Sequence, residues 1–202
     1  DALRFINSAG TWSPDGRTFA FVVLREGINQ IAFMDVESRR ILRTVRAGEV
    51  DDISHLSWSP DGRTLAVAGT VGGIGDLFLF DIGSGTVRRL TNDRNADLQP
   101  SWSPGGDRIV FATDRGPETD FDSLRYAPMR LGILDVASGD IRIISVSPVA
   151  KHISPHYTPD GRAILFIADP DGVSDLYSYT LEEDRFRRHT SIATGITGLT
   201  EL

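Results

Sequence analysis

The stretch Thr11-Trp12-Ser13-Pro14-Asp15-Gly16-Arg17 returns three more times along the chain, and this recurrence constrains the fold more than any other feature. The copies are Ser57-Trp58-Ser59-Pro60-Asp61-Gly62-Arg63, Ser101-Trp102-Ser103-Pro104-Gly105-Gly106-Asp107 and His156-Tyr157-Thr158-Pro159-Asp160-Gly161-Arg162. Their aromatic residues, at 12, 58, 102 and 157, are spaced 46, 44 and 55 positions apart. A period of this size belongs to propellers, solenoids and arrays, where one supersecondary unit packs on copies of itself.

Each motif reads as a tight turn. Pro presets φ near −65°, Asp bonds neighbouring backbone, and Gly accepts the positive φ that closes the turn. Gly105 replaces Asp in the third copy and keeps the turn permissible. Apolar strands are expected after the turns, over 18–24, 64–68, 108–113 and 163–168, followed by second strands over 30–36, 76–82, 130–136 and 175–181. Asp35, Asp81 and Asp135 close three of the latter, and Thr180 stands in the fourth. Short turns such as Gly83-Ser84-Gly85 then lead to a more polar last strand, for example 86–90.

Four short strands per repeat predict an all-β fold built of four-stranded antiparallel propeller blades. The blades fall at about 5–46, 51–91, 97–146 and 151–190, with 191–202 expected to begin a fifth and Leu3, Phe5 and Ile6 expected in a strand before the first motif. One blade cannot bury both of its faces. Trp12, Trp58, Trp102 and Tyr157 are therefore expected to fill the space between neighbouring sheets, each burying on the order of 150–250 Å².

These repeats resemble the TolB-like, WD40-like β-propeller family, whose signature is the Trp-Ser-Pro-Asp-Gly turn, an Ile-Ala-Phe type of strand and a strand ending in Asp. The likeness runs from about residue 5 to about 190. It implies a ring of six or seven blades, so the remaining blades are expected from other parts of the parent chain. It also implies a non-enzymatic module that binds a protein or peptide in the bacterial periplasm or cell envelope, where the namesake engages lipoprotein and translocation partners. Similar repeats precede the catalytic domain of prolyl-oligopeptidase-like enzymes. On that alternative the chain is a gating or accessory domain of a larger, cytoplasmic peptidase.

Composition narrows the chemistry. A net charge of −7 repels a phosphate backbone, which argues against a nucleic-acid partner. The chain has no Cys, which removes disulfides, thiolate metal sites and cysteine nucleophiles. No apolar run approaches 18 residues, so no membrane insertion is expected. Gly-x-Ser-x-Gly, His-Glu-x-x-His and Gly-x-x-x-x-Gly-Lys patterns are missing, and no catalytic residue, metal or cofactor is assigned.

The recurrent Asp15, Asp61 and Asp160 read as turn residues, and Asp35, Asp81 and Asp135 as caps of turn amides. His152 and His156 have a His-x-x-x-His spacing that converges on a helix, but Pro155 opposes one, and on a strand such residues lie about 13 Å apart. His152 is instead placed with Lys151 as a partner-binding candidate beside the axial channel. The third repeat is lengthened by the segment 114–128, with Phe121, Leu124, Arg125 and Tyr126 expected on its surface. A rigid scaffold carries recognition on such an insertion. Connections between blades should emerge at the same end, bringing Asp93 and Arg94 beside it in a largely acidic mouth. The partner-binding set is thus Phe121, Arg125, Tyr126, Asp93, Arg94, Lys151 and His152.

Overall fold

A computed structural model describes residues 10–199, and every described element is β. The chain divides into two compact units between Asp93 and Arg94. The first holds the sheet β1 (Thr11–Trp12), β2 (Thr18–Arg25), β3 (Ile28–Asp35), β4 (Ile41–Val45) and the sheet β5 (Asp52–Trp58), β6 (Thr64–Val71), β7 (Ile74–Asp81), β8 (Val87–Arg89). In the second lie β9 (Asp97–Trp102), β10 (Arg108–Thr113), β11 (Arg130–Asp135), β12 (Ile141–Ile144) and then β13 (His152–Tyr157), β14 (Ala163–Ala168), β15 (Asp175–Thr180), β16 (Arg185–Arg188). Each sheet pairs its strands antiparallel in chain order, the pattern of a propeller blade.

The turn chemistry recurs atom for atom. Ser13 Oγ donates to Asp15 Oδ1 at 2.6 Å, Ser59 Oγ to Asp61 Oδ1 at 2.6 Å and Thr158 Oγ1 to Asp160 Oδ1 at 2.6 Å, while Gly16, Gly62 and Gly161 supply φ of 69°, 74° and 68°. In the third copy the carboxylate missing at Gly105 is supplied two residues later, where Asp107 Oδ1 accepts from Ser103 Oγ at 2.8 Å. These hydroxyl bonds hold the carboxyls of Asp15, Asp61 and Asp160 below the usual carboxylate range. Asp35, Asp81 and Asp135 accept the amides of Ser38, Ser84 and Ser138 at 2.7, 2.7 and 2.9 Å, as strand-end caps should.

Each unit buries one core between its two sheets. In the first, Val22, Ile31 and Phe33 meet Leu56, Leu65, Val67 and Phe80; in the second, Val110, Leu131 and Ile133 meet Ile164, Phe166 and Tyr179. Trp58 packs edge-on against Phe33 of the preceding sheet, with ring centroids 5.7 Å apart, and Tyr157 lies against the second core. Trp102 is buried as well. Trp12 departs from expectation: it is 52% exposed and contacts Phe19 of its own sheet at 4.9 Å. Within each unit the motif aromatic of the second sheet packs toward the sheet before it, as Trp58 and Tyr157 do, and no sheet precedes the first among the described residues.

Leu3, Phe5 and Ile6 lie outside the described residues, as do the last three positions. The first strand of a fifth blade, expected from 191, does not form through residue 199. That stretch instead makes a turn, Gly195 N to Ile192 O at 2.9 Å, and bonds back to the start of β15, Ile192 N to Asp175 Oδ1 at 3.0 Å and Ile196 N to Ser174 O at 2.9 Å.

Candidate functional site at the loop end of the third sheet

Strand register decides which connections share an end. Thr113 pairs with both Asp97 and Arg130, and Leu131 pairs with Ile144. The segments before β9, between β10 and β11, and after β12 therefore leave the third sheet at one end. The insertion is at that end, as its place in the sequence implied.

The insertion is ordered from its base upward. Asp114 accepts Asn95 Nδ2 at 3.1 Å and Ala96 N at 2.8 Å, which ties the loop to the segment carrying Arg94. Arg115 pairs with the buried Asp97 and bonds Thr113 Oγ1. Buried Arg130 pairs with Glu118 at 2.6 Å and reaches Arg115 O at 3.4 Å. Gly116 is required here because a Cβ would sit 1.9 Å from Arg130 Nη1. Thr119 Oγ1 donates to Asp114 O at 2.6 Å and accepts from Ala127 N at 2.9 Å, clasping the two arms of the loop.

Above this base a small hairpin closes, with Asp120 N donating to Arg125 O at 2.7 Å and Arg125 N to Asp120 O at 3.0 Å. The Asp120 carboxylate accepts Ser123 Oγ and the amides of Asp122 and Ser123, bonds that keep it ionised well into the acid range. Leu124 takes a left-handed φ of 54° at the tip and is 70% exposed. Phe121 and Tyr126 meet edge to face at 6.3 Å, and the Arg94 guanidinium lies 4.5 Å above the Phe121 ring. Tyr126 is 57% exposed, and Arg94 and Arg125 are both open to solvent.

The structure brings Arg94, Phe121, Arg125 and Tyr126 together. Asp93 is exposed at the end of the first unit. Lys151 is exposed but committed to Asp169, its Nζ at 3.3 Å and its backbone N at 2.8 Å from the carboxylate. His152 is a correction. Its side chain is fully buried, stacked on Phe166 at 5.6 Å, with Nε2 accepting Val146 N at 2.8 Å and Nδ1 bonded to Met129 O at 3.0 Å. It is an internal strut because the first residue of β13 turns inward, and burial pushes its imidazole below the ordinary value. Among the described residues no cluster of His, Asp and Glu has the makings of a metal site.

Two side chains were missed by sequence reasoning as binding candidates. Leu124 was read as exposed without being chosen, and Val149, 75% exposed in the connection after β12, had only its place in Ser147-Pro148-Val149 to mark it. Together with Tyr126 they are three of the four most exposed large apolar side chains among the described residues, and all three stand at one end of one sheet. Exposed apolar side chains scattered singly are ordinary; three at one end of one sheet are a departure from that pattern.

An all-β array of four-stranded propeller blades carrying one ordered, aromatic insertion is a repeat scaffold with a specialised end. The sequence matches the TolB β-propeller domain over residues 11–121, more than half of the chain, and the protein belongs to that family. An uncharacterized protein of Agrobacterium fabrum is 26% identical over 158 residues, covering 77% of this chain and 53% of that protein. TolB from Acinetobacter baumannii superimposes with a TM-score of 0.72 at 18% identity, over 89% of this chain and 42% of its own. A puromycin hydrolase superimposes with a TM-score of 0.70 at 20% identity, over 95% of this chain and 30% of its own. At such identities the structural likeness is one of fold. The chain spans about half the length of the curated relative it matches.

Proposed function

We propose that this chain is a non-enzymatic binding scaffold that holds a protein or peptide partner on the loop end of its third sheet. The observation that carries the reading is the pairing of order with exposure. The insertion spends its polar groups on its own base and hairpin, and leaves Leu124 and Tyr126 in solvent beside Phe121 and Arg94. Aromatic and Arg side chains on a preorganised loop are the composition of binding hot spots. Membership of the TolB propeller family is consistent with a periplasmic or cell-envelope setting and with further blades supplied by the rest of a longer parent protein.

The test places a photoreactive residue at Tyr126 and, as a control, at Arg63 in the turn after β5, in cells making the parent protein. A discrete product from position 126 whose partner, once identified and purified, binds at least tenfold more weakly to Leu124→Ser supports the reading. Equal labelling from both positions, or none from 126, overturns it.

A second reading rests on the likeness to puromycin hydrolase, of which this chain would match only a part. There the array gates or supports a hydrolase domain elsewhere in the parent protein. A downstream Gly-x-Ser-x-Gly elbow in the parent gene separates the two.

A further inference from the structure

We propose that the turn end of the third and fourth sheets forms a second binding site, a cleft that takes the aromatic side chain of an extended peptide. It is separate from the loop end. The cleft opens where Arg108 pairs with Asp135, at the opposite end of the third sheet from Thr113 and Arg130. Its volume of about 420 Å³ is that of a ligand site. Ile133, Ile141 and Leu181 supply apolar lining, and Arg108, Asp135 and Arg142 polar lining.

The first unit shows what fills the same position there. Register makes Phe33 and Arg43 the counterparts of Ile133 and Arg142, and Ile82 that of Leu181, since each of the last two donates its N–H to the Arg after a motif turn. Phe33 meets Trp58 edge-on, and the Arg43 guanidinium covers its ring at 4.7 Å while Nη2 donates to Ile82 O at 2.5 Å. A ring clamped under a guanidinium closes that gap between sheets.

Three replacements undo the clamp in the second unit. Ile133 gives up the ring. Tyr179 adds a hydroxyl where the second sheet has Phe80, and Asp184 brings a carboxylate, at φ of 51°, where that sheet has Gly85 at 74°. Both hold Arg142, whose Nη2 donates to Tyr179 Oη at 2.5 Å and to Asp184 Oδ1 at 3.0 Å. A fourth change adds a guanidinium: the other sheets begin their second strand with Thr18, Thr64 and Ala163, the third with Arg108.

The clamp thus lacks only its ring, and this defines the ligand. A Phe, Tyr or Trp ring seated on Ile133 and Leu181, with Arg108 or Arg142 against its face, restores the arrangement of Phe33 under Arg43. Strand β12 defines the carrier. It pairs with β11 alone and its first residue, Ile141, lines the cleft, so an extended peptide can add to its edge while the cleft selects the side chain.

The test titrates the whole chain, labelled at its Ile and Leu methyls, with capped Ser-Thr-Phe-Thr-Ser, its Leu analogue and N-acetylphenylalanine amide. The Phe peptide should give saturable ring-current shifts at Ile133, Ile141 and Leu181 and bind about fivefold tighter than either comparator. Ile133→Phe, which restores the ring of the first unit, should abolish the shifts at Ile141 and Leu181. Should that variant overpack and fail to fold, Arg108→Thr decides: this exposed change should weaken the Phe peptide about threefold. Equal binding of the Phe and Leu peptides, no saturable shift at these methyls, or unchanged affinity in Arg108→Thr overturns the site. Free amide as tight as the Phe peptide overturns the peptide and makes the occupant a small aromatic molecule. Neither variant touches Leu124 or Tyr126, so a failure here is distinct from a failure at the loop end.

Discussion

The second and fourth sheets bury a carboxylate where the third buries a guanidinium. Asp76 and Asp175, fully buried at the start of the third strand, accept from Thr91 and Thr190 and pair with Arg89 and Arg188 on the outer strand. The equivalent residue of the third sheet is Arg130, and the outer-strand position that holds Arg89 and Arg188 elsewhere holds Ile143. Its counter-charge has to come from outside the sheet, and Glu118 in the insertion supplies it. The second blade pairs its buried carboxylate from its own outer strand, and the fourth does the same while Arg188 also reaches Asp171 in the β14–β15 turn at 2.7 Å. The third has opened its network to the loop, so the loop is built into the blade rather than hung from it.

The contrast breaks most sharply at Asp76. Asp76→Ala strands the Thr91 hydroxyl and unpairs Arg89, which is only about one-third exposed to water; the first unit should lose about 2–3 kcal/mol, read from the midpoint of urea unfolding at constant slope. A loss well under 1 kcal/mol would mean that the buried Asp is dispensable to an ordinary blade.

A slightly smaller effect is expected from Gly132→Ala. Where the other sheets of this pattern place Phe78 and Tyr177, the third has Gly132 with the Phe111 ring over it, and an added Cβ would lie 2.4 Å from a ring carbon. Overpacking of this kind costs about 1–3 kcal/mol. Thermal unfolding should show the loss, and Phe111→Leu added to the variant should recover part of it.

Arg130→Met tests the opened network directly. Glu118 is nearly half exposed and becomes hydrated once unpaired, so the global loss should be smaller than for Asp76→Ala. The loop should loosen instead, with tryptic cleavage after Arg125 accelerating several-fold. Unchanged proteolysis would show that the Thr119 clasp alone orders the insertion.

The smallest effect is a pH dependence. His152 stands where β5 and β9 begin with Asp52 and Asp97, and it holds Met129 at the foot of the loop through its neutral ring. Burial keeps its folded-state value below the ordinary 6.5, so the unfolded chain takes up the proton first as pH falls. Stability is therefore intact above about pH 6.5 and declines below it. His55 shifts in the same direction and contributes in the same window. His152→Gln should leave the slope of unfolding free energy between pH 7 and pH 5.5 shallower than wild type by up to one proton, and an identical slope would place the titration elsewhere.

Most of the scaffold was legible in the sequence. The motif turns, the strand-end caps and strands β10 and β14 fell where the residues placed them, because a Pro-Asp-Gly turn or an Asp cap is settled within four or five neighbouring residues. The position and end of the insertion were legible too, since repeat length reports them. The state of its side chains was not. His152 was expected beside the axial channel and is interior; Val149 was given no role and is the most exposed large apolar residue described; Trp12 was expected between sheets, as Trp58 is, and no sheet precedes its own among the described residues.

What the sequence alone determined, then, is the blade and its repetition, through contacts that are short in chain distance and copied from unit to unit. The tertiary structure decided the pairing of Arg130 with Glu118, the stacking of Arg94 on Phe121 and the enclosure of His152 between Met129 and Val146. Those depend on which strand ends lie side by side, a matter of register and packing that no local pattern of residues carries.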